Sequence, residues 1–347
     1  MRADRHPTPS EHTKGSSIPR PLRSLAAIVA ALLLAGACAA GTSPAPTAAP
    51  AGTPVPTSAG TPTATPAPTQ PGYPLTLRDD EGTSVSITAR PQRIVSLSPA
   101  NTEIVWALGA GDRQVGGTDV DDFPAEAAAL TDVVKNIVVD VETIVGLEAD
   151  LVLAAGTGFT SPDAIGRLRS LGIPVLVVSA ADVPGVLADI ELLGTAIGEA
   201  PAAFALTDAM RARIAALDQA VEGTVERPRT FYELDATNGI FGPADGSFIV
   251  GMIELAGGEA ITTGSPTVYQ ISLERLVAAD PEVILLGDAA YGVTPESVAA
   301  RPGWDGMTAV RDGAIYPVDD IVVTRPGPRL VDGLLALARA IHPELDL

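Results

Sequence analysis

Apolar positions in segment 199–223 fall at Leu206, Met210, Ile214, Leu217 and Val221, in steps of four, four, three and four. That spacing draws one continuous stripe on a helix. Pro201 sits where a missing N–H costs nothing, and Gly223 follows the last stripe residue as a C-cap would. At 1.5 Å per residue the helix spans roughly 30 Å, so it predicts a strut between two bodies. Elsewhere the apolar runs are short. Those at 94–97, around Val115, at 151–154 and at 175–178 predict buried strands separated by helix-length segments, the pattern of a parallel α/β sheet. Ahead of them, 73–88 alternates (Leu75, Leu77, then Val85, Ile87) around Asp80-Glu81-Gly82, which predicts a β-hairpin.

The flanks of the strut repeat each other. Segment 141–154 (VETIVGLEADLVLA) and segment 273–286 (LERLVAADPEVILL) share apolar positions, with Glu142 matching Glu274 and Asp150 matching Glu282. Each reads as a helix, a tight acidic turn and a buried strand. Arg90-Pro91 answers Arg227-Pro228, and 104–111 answers 252–258. A repeat of this long period implies two homologous lobes, each with its own core, rather than a solenoid. In such sheets ligands gather at the carboxyl ends of the strands. That rule selects loops 98–101, 118–123 and 156–159 in the first lobe, with a helix expected over 102–108. It selects 235–241, 288–291 and 320–329 in the second.

The N-terminus adds an address. Arg20 and Arg23 precede an apolar run over 25–34, then Ala35-Gly36-Ala37 stand before Cys38, the only cysteine. Residues 1–38 read as an export signal too short to persist as a membrane span. Its end resembles a lipobox, with Cys38 cleaved and acylated; the other reading is an ordinary signal peptide with an incidental cysteine. Residues 39–72 carry no charge and are almost all Ala, Thr, Pro, Gly and Ser, a linker that cannot bury a core. Export removes five basic and two acidic residues from totals of 22 and 42, leaving 17 against 40 and a net charge of −23. Such a surface repels nucleic acid and anionic lipid.

Enzymatic motifs fail on inspection. Gly109-Ala110-Gly111 with Gly116 imitates a dinucleotide fingerprint, but it ends a helix and precedes a strand, the reverse of the order phosphate binding needs. No nucleophile elbow or Walker loop occurs. After export the one histidine is His342, which counts against a histidine-based triad or a zinc site. No catalytic residue, protein-built metal site or cofactor is expected.

The run 90–104 (RPQRIVSLSPANTEI) closed by Leu108-Gly109, together with Asp122-Phe123-Pro124, the 141–154 and 272–286 blocks, Leu255-Ala-Gly-Gly258 and Arg301-Pro-Gly-Trp304, resembles the substrate-binding proteins of ABC importers for vitamin B12, ferric siderophores and haem. The resemblance covers residues 73–347. It implies an α/β fold of two Rossmann-like lobes with parallel sheets, 73–198 and 224–347, joined by the single helix 199–223. It further implies a monomer that holds a metal chelate in the interlobe cleft and docks on permease and ATPase subunits, outside the cell membrane and anchored to it by a lipid on Cys38. The carried chelate (ferric siderophore, haem or corrinoid) would be cargo, not cofactor. The expected cleft residues are Ser98, Asn101, Asp121, Asn136, Phe159, Phe241, Tyr269, Tyr291 and Arg325. The positions matching the aromatic cleft of vitamin B12 binders, Val120, Asn136, Ala155 and Val268, are small or polar here. For each aromatic residue the alternative is core packing, the expected place of Trp106 and Trp304. For Arg325, whose planar fork suits a carboxylate or catecholate, the alternative is a structural salt bridge. Glu142 and Glu274 are expected to meet arginines on the two permease subunits; the plainer account is favourable placement at helix N-termini. A surface lipoprotein for adhesion or sensing on the same lobes is the second function considered.

Overall fold

In the computed structural model, residues 72–223 and 226–345 are described, and all lie in the compact unit Ala64–Leu347. The export signal, Cys38 and nearly all of the linker fall outside the described residues. Strands β1 (Leu75–Arg78) and β2 (Ser84–Ile87) pair antiparallel, Leu75 opposite Ile87, as their alternation predicts. Val85 and Ile87 point into the core of the lobe behind them.

The first lobe runs β3 (Ile94–Ser96), α1 (Pro99–Ala107), β4 (Gln114–Thr118), β5 (Thr131–Lys135), β6 (Val138–Val139), α2 (Val141–Gly146), β7 (Leu151–Ala155), α3 (Pro162–Ser170), β8 (Val175–Val178) and α4 (Val183–Ile197). Its sheet has the order β6-β5-β4-β3-β7-β8, with β6 alone antiparallel. Gly198, in the left-handed region at φ +81, stops α4 and turns the chain into α5 (Ala200–Glu222). The second lobe runs β9 (Arg229–Glu233), β10 (Ile240–Phe241), α6 (Phe248–Leu255), β11 (Glu259–Ala260), β12 (Gln270–Ile271), α7 (Leu273–Ala279), β13 (Val283–Leu286), α8 (Pro295–Ala299), α9 (Thr308–Asp312), β14 (Ile315–Pro317), α10 (Asp320–Thr324) and α11 (Leu330–Ile341). Its parallel sheet has the order β11-β9-β13-β14.

The repeat is therefore topological. Strand orders β4-β3-β7-β8 and β11-β9-β13-β14 correspond element for element. The pairing also corrects one expectation. Asp150 accepts the backbone N–H groups of Gln92 and Arg93, and its own N–H donates to the Arg93 carbonyl at 3.0 Å. In the second lobe the Glu282 N–H donates to the Arg229 carbonyl at 2.8 Å. Arg93 thus corresponds to Arg229, one residue off the match that the two Arg-Pro pairs suggest. Both guanidiniums make the same bond, Arg93 Nε to the Leu147 carbonyl and Arg229 Nε to that of Ala279.

Within each strand successive residues face opposite cores, as a two-residue period requires. Ile94, Leu151 and Leu153 join one cluster; Val95, Val152 and Ala154 join another. The expectation of two separate cores is half right. The outer faces are separate, but the inner faces of both sheets share one continuous core with Ala203, Met210, Leu217 and Val221 of α5. Leu206 and Ile214 pack at its margin, and Thr207, invisible to a search for apolar residues, is fully buried in the same stripe. Because α5 shares this core with both lobes, it is a structural member of each. Among the described residues no helix is long and apolar enough to cross a membrane.

Candidate interlobe binding site

In a βα unit the helix begins where the strand ends, so the loops after the parallel strands share one edge of each lobe. Large apolar side chains crowd there in water. Phe159 follows β7 and is 85% exposed, Tyr291 follows β13 and is 89% exposed, and Ile137 follows β5 and is 84% exposed. Val120 and Phe123 after β4, Val268 and Tyr269 before β12, and Ile321 after β14 are exposed as well. Val145 on α2 and Leu171 after α3 are exposed elsewhere, but most of the large exposed apolar side chains gather on this edge, and such a patch marks a candidate binding face.

Across this edge the lobes are tied by charge. Arg325 Nη1 donates to Glu103 Oε1 and to Asp122 Oδ1, each at 2.6 Å. Arg329 donates to the same Glu103 through Nε at 2.9 Å and Nη2 at 2.6 Å, and its guanidinium lies 4.3 Å from the Phe123 ring centre. The Glu103 side chain is 2% exposed, a buried carboxylate made tolerable by two guanidiniums. Burial is the largest influence on Arg325 and opposes its charge, yet the bonds to Asp122 and Glu103 together raise its pKa. The Glu103 bond raises that of Arg329. Beside this knot, Glu103, Trp106, Ala107, Phe123, Pro124 and Pro328 line a cavity of about 160 Å³. Trp106 is half-buried there rather than in the core, whereas Trp304 is core, with Arg301 stacked 4.7 Å from its ring.

At the central strands of the second lobe, Arg301 grips the fully buried Glu233 at 2.5 and 2.8 Å. Asp288, next to it, is pushed up to about 6 by burial and then by the Glu233 charge. Tyr232 donates its hydroxyl to Asp320 at 2.7 Å, and burial raises that phenol far above its ordinary range.

Several expected cleft residues have other work. Loop 98–101 is not a loop: Ser98 Oγ accepts the Asn101 N–H at 3.3 Å and starts α1 at Pro99, three residues early. Asn101 is 2% exposed inside that first turn. Asp121 is buried and accepts Thr102 Oγ1, Thr118 N–H and Thr118 Oγ1, so it fixes the loop after β4 instead of facing a ligand. Arg325 takes the salt-bridge alternative. Loop 320–329 begins with the helix α10, capped by Asp319. Asn136 is exposed at φ +47, with its N–H on Asp119 at 3.1 Å, and Phe241 is half-buried in β10. Phe159, Tyr269 and Tyr291 are the expected residues that stand free on the edge. Sequence reasoning missed Ile137 and left Phe123 and Glu103 off the cleft set. A β-branched Ile at φ +65 gives no turn signal, and the role of Glu103 depends on a residue 226 positions away.

Glu142 is 87% exposed on the first turn of α2, 3.8 Å from Arg167, and Glu274 is exposed on that of α7. The Glu274 carboxyl is held below its usual range by its own backbone N–H and then by Ser272. Gly109, at φ +76, closes α1, and His342 is buried with Nε2 3.1 Å from the Gly257 carbonyl.

A periplasmic binding protein family model matches residues 94–322. An ABC transporter substrate-binding lipoprotein of Bacillus subtilis, YvrC, is 33% identical over 78% of this chain and 87% of its own. A cobalamin-binding protein of Halobacterium salinarum is 33% identical over 78% of this chain and 74% of its own. The solved periplasmic haem-binding protein RhuT from Roseiflexus matches at a TM-score of 0.64 and 25% identity, over 73% of this chain and 98% of that one.

Proposed function

Because the chain belongs to the periplasmic binding protein family, we propose that it is the substrate-binding component of an ABC importer and carries a metal chelate between its lobes without transforming it. The observation that carries this reading is the band of exposed apolar side chains on the edges that Arg325, Arg329 and Glu103 draw together. Phe159 and Tyr291, one per lobe, offer broad faces to a flat or bulky ligand. Glu142 and Glu274, matched in the repeat and exposed at helix N-termini, are the proposed docking points for a two-fold permease; separated like charges orient as well as attract. Cys38 is the proposed lipid anchor, with 39–72 as tether, and the chain is proposed to act as a monomer. The mature chain should bind an iron chelate or corrinoid saturably, about one per chain, with quenching of tryptophan fluorescence. A panel of haem, corrinoids and ferric siderophores that gives no saturable binding refutes the reading.

A further inference from the structure

The charges of the cleft are unevenly satisfied. Among the described residues, the basic side chains on the loops after the parallel strands are Arg325 and Arg329, and both are spent on Glu103 and Asp122. Two guanidiniums against two carboxylates leave that knot neutral. The other charged groups on those loops are acidic, including Asp119, Asp235, Asp245, Asp319 and Asp320. Glu233 absorbs Arg301 in the same way at the base of the second lobe. An anionic ligand entering between these loops would therefore find both of their guanidiniums already bound; the cations beside them are Lys135 at the end of β5, 3.5 Å from Asp132, and the exposed Arg275 on the first turn of α7. To recruit Arg325 or Arg329 the ligand would have to strip Glu103, leaving a side chain 2% exposed without its partners, a change that opposes binding strongly. Carboxylates around an apolar face also repel a polyanion directly, which is how a site rejects one class of ligand while accepting another.

We infer that the cleft takes a metal chelate whose periphery is uncharged or cationic, held on apolar and aromatic faces, and discriminates against polyanionic chelates. This rests on the chelate-carrying function proposed above. Asp122 is the adjustable member of the knot: its side chain is half-exposed, whereas Glu103 is buried. Replacing Asp122 gives Arg325 a spare bonding direction toward solvent and leaves the Glu103 pairs in place.

The test titrates the mature chain by tryptophan fluorescence and calorimetry with four probes. Cyanocobalamin is uncharged, ferrioxamine B is cationic, haemin carries two propionates, and a ferric tris-catecholate carries three negative charges. At least one of the first two is expected to bind at least ~10-fold more tightly than either anion in low salt. In Asp122→Asn the gap to the tris-catecholate should narrow by about threefold to tenfold. Haemin or the tris-catecholate binding as tightly as the better of the other probes overturns the charge selection while leaving chelate carriage intact. A gap that Asp122→Asn does not change also overturns it, because the knot would then have no part in selection. If no probe binds, chelate carriage fails and the selection fails with it.

Discussion

Asp189 is a buried carboxyl whose charge the fold opposes, and its replacement makes a quantitative test of the packing. It lies on α4 at 6% exposure, hydrogen-bonded to Asp80 in the turn of the β1–β2 hairpin. Asp80 is itself held in place: its N–H donates to the Val177 carbonyl at 3.1 Å and its carboxylate accepts the Ser179 N–H at 2.5 Å. Burial first, then the Asp80 charge, push the Asp189 carboxyl up to about 8. The folded protein therefore binds one more proton than the unfolded chain between about pH 4 and about pH 8. Folding stability falls as pH rises through that window. From an unfolded value near 3.8 to pH 7 is about three pH units, or at most about 4 kcal/mol at 1.36 kcal/mol per unit. Local relaxation and water around Asp80 absorb part of this, so we expect about 2 kcal/mol. Asp189→Asn keeps a donor for Asp80 and removes the titration. Thermal melts at pH 5, 7 and 8.5 should show the variant gaining on the wild type as pH rises, by about 4–8 °C near neutrality for a protein of this size. Parallel pH profiles, or a variant less stable than wild type at pH 8.5, would refute the reasoning.

Gly194→Ala places a Cβ 2.3 Å from that of Ala203, where α4 and α5 touch, and should cost about 1–3 kcal/mol by urea unfolding; an unchanged midpoint would mean the two helices have slack. Glu103→Gln strips two guanidiniums of their shared carboxylate and should destabilise the lobe contact by about 3 kcal/mol, read as a lowered urea midpoint, with a loss near zero arguing that the knot is ornamental. Glu142→Ala combined with Glu274→Ala should leave melting temperature and chelate affinity near wild type and abolish uptake in reconstituted vesicles, since both side chains face solvent; wild-type transport would return them to helix-end electrostatics. Because α5 has no interior glycine and shares its core with both lobes, solution scattering with and without chelate should give a radius of gyration unchanged to about 1 Å, and a larger contraction would count against a rigid strut.

The architecture was legible in the order of residues alone, because local signals and the fold agree. The stripe of α5, the period-two hairpin, the short buried runs and the 141–154/273–286 repeat each depend on neighbours within a few residues or on a duplicated pattern. Burial of one helix face or one strand face forces such patterns, so they survive reading in one dimension. Caps were partly legible too, though Ser98 started its helix earlier than the apolar spacing suggested. Which polar groups are spent emerged only in three dimensions. Arg325 looks free in sequence and is consumed by Glu103 and Asp122, 222 and 203 positions away. Asp121 looks like a rim carboxylate and is buried under three donors, one of them Thr102, 19 residues upstream. Ile137 carries no turn signature, yet the β5–β6 pairing holds it in the left-handed region and out in water. Hydrogen bonds and ion pairs act over about 3 Å in space with no period along the chain, so the chemistry of the cleft is fixed only when the two lobes meet.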